Sequence, residues 1–172
     1  MRWYVIDKKY VEYLNSFDKK VENVDYGESL KPYIGIILNI NKFNYYVPVS
    51  SPKNKHLKMK NNIDIFKIVN KTQLLGVLNI NNMIPVDNDN INCLEYKEIE
   101  EYRKFDSDNK KIMYIKLLSM ELNIINRNLQ EIKESAKKLY QIKLKYPNEK
   151  ISLRCCDFEL LEQKCIEYNR KK

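Results

Sequence analysis

Apolar and polar positions along the chain change rhythm near residue 90. The run RWYVI at 2–6 reads as a short strand, and Asp7 is placed to cap a helix directly after it. Tyr10, Val11, Leu14 and Phe17 then recur at helical spacing and predict a helix over 8–18. Asn23, Asp25, Gly27, Ser29 and Pro32 mark 19–32 as a loop. YIGIILNI (33–40) and FNYYVPV (43–49), joined by Asn41 and Lys42, predict a hairpin, with the N–H side of Pro48 unpaired or at a bulge. A long polar loop comes next. IDIFKIV (64–70) and LLGVLNI (74–80) predict two more strands, and MIPV (83–86) a short edge strand. The expected sheet is an antiparallel meander, strongly bent around Gly35 and Gly76.

From 109 to 146 the apolar positions take helical spacing, through Ile112, Ile115, Leu118, Leu122 and Ile125, then Leu129, Ile132, Ala136 and Leu139. The cluster Asn126-Arg127-Asn128 is where this helix would break or kink, and Pro147 ends it. Asp157 caps a last helix with Phe158, Leu161, Cys165 and Tyr168 on one side. The charged positions between read as a solvated helical face without a site. The predicted class is α+β: one domain over 1–172, β-rich to about 90 and helical from about 95 to 170.

Composition narrows the class. With 172 residues, 44% hydrophobic and 31% charged, the chain suits a soluble globular domain with its own core. No apolar run is long enough to span a membrane and the start does not read as a signal peptide, so a cytoplasmic protein is expected. Cys93, Cys155, Cys156 and Cys165 lack metal-ligand spacing and are expected to be free thiols. The net charge of +8 is unevenly laid out. Between Glu28 and Asp64 there is no acidic residue, and that window holds Lys31, Lys42, Lys53, Lys55, Lys58 and Lys60. Such a stretch is either a solvated basic face or a footprint for a polyanion.

Candidate chemistry concentrates in VPVSSPKNKH (47–56), which holds two hydroxyls, two lysines and the chain's only histidine, His56. Three glycines cannot build a phosphate-cradling loop, and no GxSxG elbow is present. The acidic pairs have no histidine near them, so no metal and no cofactor are expected. Phosphodiester chemistry without a metal remains. In RNA the 2′-hydroxyl can attack its own phosphate, and Ser50, Ser51 and Lys53 are suitable types to stabilise the charge that develops. One histidine rules out a two-histidine mechanism, so lysine or tyrosine would share the proton work. The bland alternative is a Ser-Ser-Pro turn with solvated lysines.

The segments MRWYVIDKKYVEYLNSFDKKV, KPYIGIILNI and YYVPVSSPKNKH resemble the ToxN/AbiQ family, and its CptN-type members in particular. These are endoribonuclease toxins of type III toxin–antitoxin systems. The family's hallmark is a strand ending in Pro-x-(Thr/Ser)-Ser-Pro-Lys followed by a histidine, here Pro48, Ser50, Ser51, Pro52, Lys53 and His56. The resemblance implies a core similar to the bent-sheet toxins of the MazF/Kid kind. It implies catalytic roles for Ser50, Ser51, Lys53, Lys31 and Tyr26. RNA contacts would come from Lys42, Lys55, Lys58 and Lys60, and His56 would either contact RNA or stabilise the loop. It further implies metal-free cleavage of single-stranded, A-rich RNA, leaving 2′,3′-cyclic phosphate and 5′-hydroxyl ends. The implied partners are a repeat antitoxin RNA of pseudoknot units, closed with the toxin into a ring, and substrate mRNA; no protein antitoxin and no membrane are implied. The outcome in the cell would be growth arrest or abortive phage infection. Two competing readings stay open: a non-catalytic RNA-binding module on the same basic face, and a protein-interaction module built on the helices of 109–146.

Overall fold

The structure, a computed structural model, describes residues 1–22 and 31–170. Strand β1 (Arg2–Ile6) leads into helix α1 (Lys8–Phe17). Asp7 caps α1 as expected, its side chain accepting from the Tyr10 N–H at 2.9 Å. Tyr10, Val11 and Leu14 form the buried face, whereas Phe17 is half exposed beneath the ammonium of Lys164. Strands β2 (Pro32–Ile40) and β3 (Phe43–Ser50) form the predicted hairpin. Its two turn residues, Asn41 and Lys42, both take positive φ, 51° and 71°, as a tight turn matched to strand twist requires. After β3 comes a short helix, α2 (Asn54–Lys58), inside the segment expected to be irregular loop. A second hairpin, β4 (Ile65–Asn70) and β5 (Gln73–Asn79), is next along the chain, then β6 (Ile84–Val86) and β7 (Ile91–Cys93).

Among the described residues seven strands form an antiparallel sheet, but not a simple meander. Its order is β4-β5-β3-β2-β1-β7, with β6 also paired to β3. Strand β7 carries only three residues and sits at an edge, too short to show alternation. The sheet turns at β3. On one side β3 pairs with β2. On the other, Asn44–Tyr46 pair with β6, whereas Val49 and Ser50 pair with Leu78 and Val77 of β5. Among the described residues no ladder pair forms on that edge at Val47 and Pro48, so the missing proline N–H is harmless there. Opposite this point β2 shifts register between Ile34 and Leu38, a bulge that adds to the bend. Gly35 lies in it under the ring of Tyr46, where a Cβ would collide.

The helical part begins with α3 (Ile99–Tyr102). The long helix expected over 109–146 is two: α4 (Asp108–Arg127) and α5 (Leu129–Lys145). Asn128 marks the break, its amide Nδ2 donating to the Ile124 carbonyl at 2.8 Å beside its own backbone N–H. Helices α6 (Lys150–Arg154) and α7 (Phe158–Asn169) complete the chain, and Asp157 caps α7 as expected. Helix α4 lies across β4 and β5, α5 packs on β2, and α7 covers β6. Trp3 Nε1 donates to the Leu118 carbonyl at 3.0 Å, tying β1 to α4. Tyr45 and Tyr140 both donate to the buried carboxylate of Glu162 at 2.8 Å, tying β3 to α5 and α7. Cys155, Cys156 and Cys165 are buried free thiols, and Cys93 is a partly exposed one. No helix among the described residues is long and apolar enough to cross a membrane.

Gly35→Ala is expected to destabilise the fold by about 1–3 kcal/mol, because its methyl group must displace the Tyr46 ring from a packed core. A urea midpoint unchanged from the parent would contradict this packing.

Candidate active site

The end of β3 delivers Ser50 and Ser51 to a cleft between the sheet and α4. Register places Ser50 beside Val77 of β5, while Lys31 stands immediately before β2. The two ends are thereby neighbours. Lys31 Nζ donates to Ser50 Oγ at 3.0 Å, and Asn79 Nδ2 donates to the same oxygen at 2.8 Å. The Ser50 hydroxyl in turn points to Glu22 Oε2 at 3.4 Å. Glu22 also accepts from Asn79 and forms an ion pair with Lys31. Ser50 is therefore held by three side chains from three separated stretches of chain.

Lys31 is only 5% exposed. Burial, and then the neighbouring Lys53 charge, push its ammonium down to about 8. The Glu22 carboxylate beside it favours the charged form, so Lys31 stands under opposed influences. Ser51 and Lys53 are exposed and line a cavity of about 400 Å³ together with Lys31 and Ser50.

The loop after Ser51 is shaped by Pro52 and by His56. The His56 Nδ1 accepts from the Lys53 backbone N–H at 3.1 Å, and the His56 N–H bonds back to the Lys53 carbonyl at 2.8 Å. The ring is 4% exposed. Burial, then the charges of Lys55, Lys53 and Lys67, hold its pKa below the usual histidine value. A neutral ring with Nδ1 as acceptor fits the bond it makes. His56 thus braces the loop that presents Lys53.

The predicted residues separate into three groups. Lys31, Ser50, Ser51 and Lys53 converge on the cavity. Lys55, Lys58 and Lys60 are exposed on α2 and just after it, flanking the same loop. Lys42 sits in the β2–β3 turn at the opposite end of β3, roughly 25 Å from Ser50 at the rise of an extended strand. Tyr26 lies outside the described residues.

Several lining residues were not singled out from the sequence. Glu22 and Asn79 hold Ser50, but neither lies in the basic window. The far wall of the cavity comes from Leu117, Leu118, Tyr114 and Glu121 of α4, with Arg103 from the segment after α3. The guanidinium of Arg103 lies 4.4 Å from the centre of the Tyr114 ring, a cation–π contact beside the serines. The helix read as a bare solvated face therefore supplies a wall of the cleft. One signal was available: Glu121 falls on the stripe Leu118, Glu121, Ile125, where an acid interrupts core spacing. Among the described residues, no group of three or more His, Cys, Asp and Glu side chains is placed to hold a metal ion.

Comparison with known proteins bears on what this cleft is. A family model described as Toxin ToxN, type III toxin-antitoxin system, matches residues 2–166. An endoribonuclease ToxN of Bacillus thuringiensis subsp. kurstaki is 29% identical over 175 residues, covering 99% of this chain and 85% of the relative. The endoribonuclease AbiQ of Lactococcus lactis subsp. lactis is 29% identical over 179 residues, covering 99% and 91%. Among solved structures, a type III toxin selectively inhibited by a non-coding RNA pseudoknot superposes with a TM-score of 0.83 at 25% identity, covering 98% of this chain and 97% of that one. A chain from a bacterial antiviral system regulated by a processed non-coding RNA superposes at 0.81 with 28% identity, covering 97% and 98%. With the family pattern spanning nearly its whole length and the hallmark loop at the mouth of its cleft, this chain belongs to the ToxN family of type III toxin–antitoxin toxins.

Proposed function

We propose that the protein is an endoribonuclease toxin that cleaves single-stranded RNA, A-rich RNA by preference, through attack of the 2′-hydroxyl on the adjacent phosphate, without a metal ion. The observation that carries this reading is the convergence of Lys31, Ser50, Ser51 and Lys53 on one cavity at the mouth of a bent sheet. The relatives named as endoribonucleases support it. The geometry supports a division of labour. The Ser50 oxygen already accepts two hydrogen bonds and is fixed, so its role is to set the loop and the edge of the phosphate site. Ser51 has no hydrogen-bond partner among the described residues and is free to donate to a phosphoryl oxygen. Lys53, held by the braced loop, supplies positive charge to the pentacoordinate phosphate. The Lys31 ammonium, with its pKa pushed down, is suited to share the proton work. The family resemblance would add Tyr26 to the catalytic residues.

Around this centre, Lys55, Lys58 and Lys60 would engage the RNA backbone, with His56 contributing through the loop it braces. Lys42, at the far end of the hairpin, would reach RNA only as part of a longer track. That suits a second, larger RNA partner: a repeat antitoxin RNA of pseudoknot units, closed with the toxin into a ring that occludes the cleft. The relative inhibited by an RNA pseudoknot supports this. The core would then be of the MazF/Kid kind, a reading supported by the bend of the sheet at β3. The setting is the cytoplasm, with substrate mRNA cut and growth arrested during phage attack.

Ser51→Ala and Lys53→Ala are each expected to lower single-turnover RNA cleavage about 100-fold or more, with melting temperature unchanged. Wild-type rates from both variants would overturn the site. End-group mapping is expected to find 2′,3′-cyclic phosphate and new 5′-hydroxyl ends, formed equally in excess EDTA. Activity lost to EDTA and restored by magnesium would contradict the metal-free reading, and RNA recovered intact would favour a binding module instead.

A further inference from the structure

The cleft wall that faces the serines carries a carboxyl group. Glu121 lies on the inward stripe of α4 and is 4% exposed, yet it lines the same cavity as Lys31, Ser50, Ser51 and Lys53. Room for it is made by β5: a Cβ at Gly76 would collide with Glu121 Oε1. Gly76 immediately precedes Val77, the register partner of Ser50. The carboxyl is thereby set over the strand position next to the serine loop. Among the described residues no hydrogen bond or ion pair holds that carboxyl. An acid buried without a partner is expensive for a fold to keep, and its position in a reaction cleft gives it a use.

We propose that Glu121 is the general acid of RNA cleavage, donating its proton to the departing 5′-oxygen. This rests on the endoribonuclease reading above. In the step, the bond from the 2′-oxygen to phosphorus forms and the bond from phosphorus to the 5′-oxygen breaks. The 5′-oxygen keeps the bonding electron pair, takes the Glu121 proton and leaves as a 5′-hydroxyl. The proton released by the 2′-hydroxyl passes to solvent, and solvent returns one proton to the Glu121 carboxylate after the product leaves, so the step balances and no co-reactant is required.

Burial alone pushes this carboxyl up to about 8, so at neutral pH it holds the proton that an acid must give. The groups around it are Tyr114 on α4, Tyr96 before α3, Arg103 after α3, and Lys31 and Lys53 across the cavity. The charge of a bound phosphodiester strengthens the acid's hold on its proton.

The test compares an ordinary RNA with the same RNA carrying a bridging 5′-sulfur at the cleavage site, a leaving group that departs without protonation. Glu121→Gln is expected to lose about 100-fold in kcat/KM on the oxygen substrate and less than about threefold on the sulfur one. Ser51→Ala is expected to be slow on both. With the unaltered enzyme, kcat/KM on the oxygen substrate should fall as pH rises through about 8, and that limb should vanish on the sulfur substrate. Equal loss by Glu121→Gln on both substrates, no loss on either, or an alkaline limb shared by both substrates would overturn the assignment. Cleavage of neither substrate by the wild-type protein would overturn the endoribonuclease reading itself.

Discussion

Everything at the cleft depends on β3 being shared between two partners on one edge. A strand paired along its whole length with a single neighbour would carry Ser50 and Ser51 on in the plane of the sheet. Here β3 pairs first with β6, then with β5, and the change of partner falls at Val47 and Pro48. The bend turns the end of the strand toward α4. It also brings Asn79, at the end of β5, within hydrogen-bond distance of Ser50. Lys31 arrives from the other side because β2 pairs in register with the same strand, Tyr33 opposite Pro48. The geometry of the site is thus a consequence of strand order, and the side chains add the final placement.

That placement puts polar groups where burial penalises them. Lys31 and Glu121 are both nearly inaccessible, and both are pushed toward their neutral forms. A fold selected for stability alone would fill these positions with apolar side chains. Their retention costs stability that the rest of the core must supply, through the Tyr45–Tyr140–Glu162 network and the Trp3 contact with α4. The scaffold around the cleft is anchored from several directions, and the cleft holds the less comfortable groups.

Much of this was legible in the amino-acid sequence. Alternation and β-branched runs located β1 to β6, and the Asn41-Lys42 pair located the first hairpin turn. Asp7 and Asp157 marked helix starts through their short carboxylates. The serine–lysine loop stood out by composition and by resemblance. What was not legible depends on long-range pairing. Strand order is absent from local periodicity, so the meander expected from succession gave way to a sheet with β1 in its interior. The loop-stabilising role open to His56 gains its geometry only in the fold, where its Nδ1 turns back onto the Lys53 backbone. Glu22, Asn79, Arg103, Tyr114 and Glu121 come from regions with ordinary local patterns, and only packing gathers them. Lys42 shared the acid-free window with Lys53, yet proximity in sequence did not make it a neighbour.

The central claim is that this cleft cuts RNA with the substrate's own 2′-hydroxyl. The most direct measurement is single-turnover cleavage of a mapped RNA carrying one 2′-deoxy substitution at the nucleotide 5′ to the scissile phosphate. The account predicts that this single missing oxygen abolishes cleavage at that site while affinity for the RNA is retained. Cleavage of the substituted RNA at the rate of the all-ribose strand would contradict it.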